Sequence, residues 1–371
     1  MSRRPEPPRR ALDDACPGVL RLREAADGHL ARVRLVGGFL SAQGLSALAE
    51  LADELGDGRV ELTSRGNVQL RGLPADAGAE LGRRLHAVGL WPSATHERVR
   101  NIMASPLAGL DGSPALFATV HALDAGLCAE PRLADLSGRF LFAVDDGRGD
   151  VAGLRPDVLI QAGAINGLPV SDPVAAALLA AHAFLDERQA QRSTAWRVTD
   201  LIDGASRVRA RLARRLGGDR IERPFVGDAP RPGPFRRPDG PTALVLAVPL
   251  GRLSSDQLRW LAAQVQDEPA RITPWRTVVL PSVENTAAAE QRGFGVAPDT
   301  AWALVSACAG RPGCAKALAD VQTDARAALH RWPDQVVHWS GCDRRCGRPT
   351  TTEVDVIGTE SGYRIEGNSD A

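Results

Sequence analysis

From Gly37 to Leu55 the chain reads GGFLSAQGLSALAELADEL, and its leucines at 45, 48, 51 and 55 recur at helical spacing. The pattern predicts a turn and then an amphipathic helix capped by Ser41. The alternating stretch LARVRLV before it predicts a strand. A second strand is predicted after it, where VEL runs into TSRGNVQLRG. Leu62, Val68 and Leu70 take the even positions there, and Thr63, Arg65, Asn67, Gln69 and Arg71 the odd ones. Read as one strand, this segment has an apolar face and a face that lines up two guanidiniums with two amides. Strand, helix and strand together make a β-α-β unit.

The same pattern returns. ALVLAVPLGRLSSDQLRWLAAQV, from Ala243 to Val265, is again strand, turn and helix, with Leu253-Ser254 matching Leu40-Ser41. Leu258, Leu261 and Ala262 match Leu45, Leu48 and Ala49, and ARITPWRTVVLP, from Ala270 to Pro281, matches the strand that carries Arg65. The chain thus reads as an internal duplication. Between the copies, the Pro/Gly-rich VGDAPRPGPFRRPDGP, from Val226 to Pro241, predicts a linker without regular structure. Where the first copy has Arg65, Asn67 and Gln69, the second has Trp275, Thr277 and Val279. An exposed sheet face has no need to be polar in one copy and apolar in the other. The asymmetry points to a ligand face in the first.

A length of 371 residues allows two to three domains, and 45 basic against 45 acidic residues leave no net charge. That balance argues against a general binder of nucleic acid or anionic membrane. Lys316 is the only lysine, which fits the codon usage of a GC-rich genome but does not explain every arginine. No apolar run is long enough for a bilayer; the best, Val174 to Leu185, contains His182 and predicts a buried helix. MSRRPEPPRR has no apolar segment behind it, so residues 1–14 are expected to be a disordered tail, not a secretory signal, and the location cytoplasmic. Neither a dinucleotide-binding G-x-G-x-x-G after a strand nor a P-loop is found. DDGRGD, from Asp145 to Asp150, does not have EF-hand spacing and reads as a tight turn.

In a reducing compartment, clustered cysteines suggest metal or redox chemistry before disulfides. Cys308 and Cys314 form C-x5-C, and Cys342 and Cys346 form C-x3-C. Four thiolates can hold a [4Fe–4S] cluster or zinc, and spacing wider than a zinc knuckle suits the larger body. The isolated Cys16 and Cys128 read as ordinary buried thiols.

Together these motifs resemble the sulfite/nitrite reductase superfamily over nearly the whole chain after about residue 15. TSRGNVQ is similar to that family's T-[ST]-R-x-N-x-Q element, which contacts sirohaem carboxylates. VRLVGG, from Val33 to Gly38, is similar to its R-L-P-G-G turn, with Arg34 on the anion side, and RNIMASP, from Arg100 to Pro106, to its R-N-[VI] element. The resemblance implies an α+β fold in which two ferredoxin-like half-domains pair about a pseudo-twofold, each followed by a mixed α/β domain. The expected boundaries are 15–78 and 79–225, a linker at 226–241, then 242–290 and 291–371. Cys308, Cys314, Cys342 and Cys346 would be the cluster ligands, and Arg34, Arg65, Asn67, Gln69, Arg100, Asn101 and Arg139 would bind substrate.

Within the superfamily, CPGVLR and GRFLFAVDDGRGDVAGLRPDV, from Gly138 to Val158, resemble the precorrin-3B synthase branch of aerobic cobalamin biosynthesis. Where sulfite reductases carry two anion-binding lysines, this chain has Arg139 and Leu141. Arginine is a poor proton donor and leucine is none. Asp343, Arg344, Arg345 and Arg348, inside and just after C-x3-C, also depart from the family's small or neutral residues and could shift the cluster potential. The branch implies O2-dependent hydroxylation of precorrin-3A at C20 with γ-lactone closure. One oxygen atom enters the product and the other leaves as water. Electrons would come from a separate reductase or ferredoxin. A mononuclear non-haem iron is implied too; its ligands cannot be named, and His338 is more readily read as structural than as one of them. Two rivals are a sirohaem-dependent sulfite or nitrite reductase and a non-catalytic tetrapyrrole-binding scaffold. The substrate is expected between the halves.

Overall fold

Short strands β1 (Arg23–Ala25) and β2 (Gly28–Val33) open a five-stranded antiparallel sheet in this computed structural model, which describes residues 16–217, 223–238 and 240–367. The expected tail at 1–14 lies outside the described residues. After β3 (Phe39–Leu40), helix α1 (Ala42–Leu55) begins where predicted: the Ser41 hydroxyl accepts from the Gly44 N–H at 3.1 Å, supplying a partner for an orphan donor of the first turn. Leu45, Leu48 and Leu51 are fully buried.

The predicted single strand from Val60 is two strands. β4 (Arg59–Leu62) and β5 (Val68–Leu73) pair antiparallel, closed by the Thr63 N–H to Asn67 carbonyl bond at 2.9 Å. Thr63 Oγ1 accepts from the Arg65 and Asn67 N–H groups, and Gly66 takes a left-handed φ of 64°. Arg65 therefore sits in a turn, and only Gln69 and Arg71 alternate along a strand. The Ser-Arg-Gly-Asn run was the turn signal that the apolar alternation masked. Helix α2 (Gly78–Ala87) follows.

A second unit of chain begins with β6 (Ile102–Ala104) and helix α3 (Phe117–Ala129), which crosses over to β7 (Phe142–Asp145). β6, β7 and β8 (Val158–Gln161) are parallel, and β9 (Ala164–Ile165) and β10 (Leu168–Pro169) fold back antiparallel. Helices α4 (Pro173–Ala190) and α5 (Gly204–Leu216) complete it, with Phe140, Phe142 and Phe184 stacked at 5.2 and 4.9 Å in its core. The predicted buried helix is α4, and no described helix is long and apolar enough to cross a membrane.

The duplication is visible strand by strand. β11 (Gly233–Arg236) lies inside the predicted linker, where it pairs as an edge strand with β12 (Thr242–Ala247), so that stretch does hold regular structure. An edge position tolerates Pro234, because only one side of the strand must donate. β13 (Arg252–Ser254) leads into α6 (Ser255–Gln264), where Ser254 and Gln257 form a reciprocal capping box. β14 (Ala270–Ile272) and β15 (Thr277–Leu280) form a hairpin whose Thr273 repeats every bond of Thr63, with Arg276 at φ 58° in the place of Gly66.

Sheet order is β1-β2-β5-β4-β13 in the first copy and β11-β12-β15-β14-β3 in the second. Each sheet is thus completed by the short strand that precedes the other copy's helix: Leu253 pairs with Val60, and Leu40 with Ala270. Helices α1 and α6 pack together beneath this exchange. After α7 (Thr286–Glu290) comes the last sheet: β16 (Val305–Ala307), crossover helix α8 (Val321–Ala327), β17 (Val337–Ser340) and β18 (Val354–Thr359) in parallel, then antiparallel β19 (Gly362–Gly367). It repeats the plan of β6 to β9. Contacts group Arg34–Gly38 and Pro92–Ala229 into one compact unit, and Pro17–Val33, Phe39–Trp91 and the chain from Pro230 onward into another.

DDGRGD is a bonded turn in the first of these units. Asp145 Oδ1 accepts from the Gly147 and Gly149 N–H groups at 2.8 and 2.9 Å, and Asp150 accepts from the Ser105 hydroxyl at 2.6 Å. Burial raises the Asp150 carboxyl from 3.8 to about 6; the Ser105 bond opposes the rise and Asp145 adds to it. The folded state holds this proton more tightly than the unfolded chain. Its contribution is therefore greatest below about pH 4 and is lost as pH rises through about 6. Asp150→Asn should stabilise the protein at pH 8, by up to roughly 3 kcal/mol, and much less at pH 4. Urea titrations at the two pH values read this; equal effects at both would refute it. Leu253→Ala, at a fully buried site in the exchanged strand, should cost about 2–5 kcal/mol in the same titration.

Candidate functional site

The expected substrate residues fall in both units. Arg65, Asn67 and Gln69 belong to the unit with the cysteines; Arg34, Arg100, Asn101 and Arg139 belong to the other. In the latter, Arg34 is buried and its Nε donates to the Arg98 carbonyl at 3.2 Å. Asn101 Nδ2 donates to the Gly138 carbonyl at 2.5 Å and reaches the same Arg98 carbonyl at 3.4 Å. These two residues therefore meet at one carbonyl, and Asn101 fixes the backbone beside Arg139. The Arg139 guanidinium is exposed and stacks 4.7 Å above the Trp196 ring. Arg100 makes a bidentate, buried pair with Asp124, both bonds 2.7 Å. It is committed to α3 as a structural anchor.

In the hairpin, Asn67 is buried and Arg65 and Gln69 are half-buried. Gln69 Oε1 accepts from Arg32 Nε at 3.0 Å, while its Nε2 donates to Glu61 at 3.2 Å. Arg71, not among the expected substrate residues, proves central. Its Nε and Nη2 donate to the two Asp27 oxygens at 2.9 Å, and Nη2 also donates to the Gly313 carbonyl at 2.6 Å. Sequence reasoning missed Arg32, Glu61 and Asp27 because the partners lie up to 44 residues apart. The alternation that puts Gln69 and Arg71 on one strand was the available signal.

Gly313 lies within the C-x5-C loop. Cys308 follows β16 and Cys342 follows β17, so the carboxyl ends of two adjacent parallel strands carry one member of each pair, the edge at which open α/β sheets place ligands. The Cys308 N–H donates to the Trp339 carbonyl at 2.9 Å, and the Gly341 N–H points at Cys308 Sγ, 3.2 Å away. Burial pushes the Cys308 thiol up; the Gly341 and Gly310 N–H groups pull it down, and Cys346 and Cys314 push it up as neighbouring charges. On the second pair, Arg276 Nη2 donates to the Gly347 carbonyl at 2.9 Å. Each copy's hairpin thus grips one cysteine loop through one arginine. That accounts for a non-glycine residue at Arg276's left-handed φ.

Among the described residues, no group of three or more His, Cys, Asp and Glu side chains converges as ligands of one ion would. A four-iron cube takes four thiolates held apart at its corners, the donor set these two loops carry, and at Cys308 an N–H is aimed at the sulfur. Among the described residues no ligand set for a mononuclear iron is brought together. His338 is buried, its Nδ1 2.8 Å from the Ser306 hydroxyl. Cys16 is buried and Cys128 half-buried, as ordinary thiols.

A family model, the nitrite/sulfite reductase ferredoxin-like half domain, matches residues 23–88. A precorrin-3B synthase from Sinorhizobium sp. is 30% identical over 96% of this chain and 83% of its own length. The chain belongs to the nitrite/sulfite reductase superfamily. A ferredoxin–nitrite reductase of Synechococcus elongatus is 28% identical over 91% of this chain and 78% of its own. The structure of the Mycobacterium tuberculosis NirA protein superposes with a TM-score of 0.69 at 21% identity, covering 92% of this chain and 72% of that one, which shows the shared fold. Like these superfamily relatives, the chain is an oxidoreductase.

Removing the Arg71 charge leaves Asp27 unpaired and frees the Gly313 carbonyl. Arg71→Gln should lower the iron and acid-labile sulfide retained on anaerobic purification. Arg71→Lys should retain an intermediate amount, since an ammonium lacks the fork that meets both oxygens. Iron analysis of the three proteins checks this; full retention in Arg71→Gln would show the loop to be held without it.

Proposed function

We propose that this enzyme is a precorrin-3B synthase, a monooxygenase that hydroxylates precorrin-3A at C20 with O2 and closes a γ-lactone, in aerobic cobalamin biosynthesis. The observation that carries the reading is the segment around Arg139. Leu141 is buried and apolar, and its N–H is spent on Asp157 at 2.9 Å, so this position cannot deliver a proton to a small anion. Arg139, stacked on Trp196, is fixed in charge and suited to a carboxylate. Repeated protonation of sulfite or nitrite is poorly served by that pair. A macrocycle fringed with acetates and propionates is well served by planar, bidentate donors.

On this reading Arg65, Asn67 and Gln69 meet one set of carboxylates and Arg34, Asn101 and Arg139 another. Cys308, Cys314, Cys342 and Cys346 would hold a [4Fe–4S] cluster, which supplies single electrons when bound. The chain's part is to fix the substrate's carboxylates and to keep charge and water ordered around them. Arg100, locked to Asp124, acts on the substrate only through the loop it holds. The chain is read as half-domains at 15–78 and 242–290 with α/β domains at 79–225 and 291–371, joined at 226–241. We place the enzyme in the cytoplasm, with a ferredoxin or a separate reductase as donor; the ferredoxin named in the nitrite reductase relative supports this.

The similarity to nitrite reductases at nearly equal identity supports a second reading, a sirohaem enzyme that reduces nitrite or sulfite. Anaerobic purification followed by an absorption spectrum separates the two. The first reading expects a broad iron–sulfur band and, with precorrin-3A and a reductant, substrate-dependent oxygen uptake. Intense Soret and visible macrocycle bands would overturn it in favour of the second.

A further inference from the structure

Away from the cysteine loops, in the same unit, four arginines, 59, 252, 292 and 326, line one hollow of about 530 Å³ together with Trp302 and Asp256. The volume lies in the range of small-molecule sites. Arg252 is neutralised, with Asp57 at 2.8 Å and Glu61 at 3.4 Å. The other three have no carboxylate partner among the described residues, in a chain whose arginines are widely ion-paired. Arg292 rests its guanidinium on the Trp260 ring at 5.7 Å, and Arg326 donates only to the Gln322 carbonyl at 3.1 Å. Asp256, the single acid of the lining, is engaged by Arg259.

Like charges held together cost energy unless something neutralises them. Burial lowers the Arg326 guanidinium's proton affinity, and the fields of Arg59 and Arg252 lower it further, against a weaker opposing pull from Asp320. Arg59 and Arg252 are therefore near enough to Arg326 to repel it. They also come from different parts of the chain. Arg59 is on β4 and Arg252 on β13, the strand that the second copy adds beside it, while Arg292 follows α7 and Arg326 is on α8. None of these residues serves the cysteine loops or the carboxylate-binding set proposed above.

We propose that this hollow is a binding site for a small multivalent oxyanion, carrying two or more phosphate or carboxylate groups. Guanidiniums supply paired donors for such groups, and the half-buried Trp302 supplies a flat wall. The site does not depend on which tetrapyrrole reading holds.

Calorimetric titration of the full-length protein at low ionic strength, with inorganic pyrophosphate and separately with citrate, tests it. Binding is expected for at least one, weakening as salt is added. The tighter of the two identifies phosphate or carboxylate as the source of the charge. The double variant Arg59→Gln/Arg292→Gln should bind at least tenfold more weakly, with an unchanged circular dichroism spectrum. The single variant Arg59→Gln, at an exposed side chain without a carboxylate partner among the described residues, covers the case in which the double variant fails to fold and should weaken binding severalfold. Absence of heat with both anions at millimolar concentration would overturn the proposal. So would wild-type affinity in the variants, which would place the anion elsewhere, as at the Arg65 hairpin.

Discussion

Neither half of the duplication can complete its own sheet. The strand that leads into α1 pairs with β14, and the strand that leads into α6 pairs with β4. A sheet edge left open exposes unpaired N–H and C=O groups, and each copy closes the other's edge. Helices α1 and α6 then bury their leucine faces against one another. Everything else in this unit is placed by that exchange, because it holds the two hairpins, 63–67 and 273–276, in a defined relation.

The hairpins are where the copies have parted in side chains. Both keep the threonine that organises the turn, Thr63 and Thr273. Around that shared scaffold one copy offers Arg65, Asn67 and Gln69, and the other offers Trp275, Thr277 and Val279. Each still sends one arginine to a cysteine loop, Arg71 to Gly313 and Arg276 to Gly347. The loops hang from the ends of the parallel strands β16 and β17, which set Cys308 beside Gly341. For the cluster proposed there, such bracing would matter, since the positions of N–H dipoles around sulfur tune a cluster's potential.

Several of the least exposed arginines are paired with carboxylates. Arg100 with Asp124, Arg71 with Asp27 and Arg197 with Asp157 each take a guanidinium out of water only with a carboxylate in reach. Such pairs add little net stability, but losing one partner is costly, so they act as fixed points for the loops they join. Arg59, Arg292 and Arg326 are exposed and come together around one hollow without a carboxylate partner among the described residues, and on the proposal above their charge is met by an anion from solution.

Much was legible in the residues alone. The leucine spacing of α1 and α6, their serine caps, the repeat and the two cysteine pairs are local signals, because helix periodicity and capping act within a few residues. The motifs were enough to suggest the superfamily. Two local readings failed. The alternation of Leu62, Val68 and Leu70 hid a turn, and the proline-rich stretch at 226–241 hid the edge strand β11. An edge strand is made by its partner, and β12 is what gives Gly233–Arg236 its structure. The partners of the candidate-site side chains were less legible than the motifs that carry them. That Arg100 belongs to Asp124, that Asn101 fixes the 138–140 backbone, and that Arg71 braces a loop 242 residues away follow from long-range geometry. The sequence determined which groups the chain carries and how each segment would fold locally. The tertiary structure alone decided which guanidiniums are consumed as anchors and which remain for a ligand, because pairing depends on distances that only packing sets.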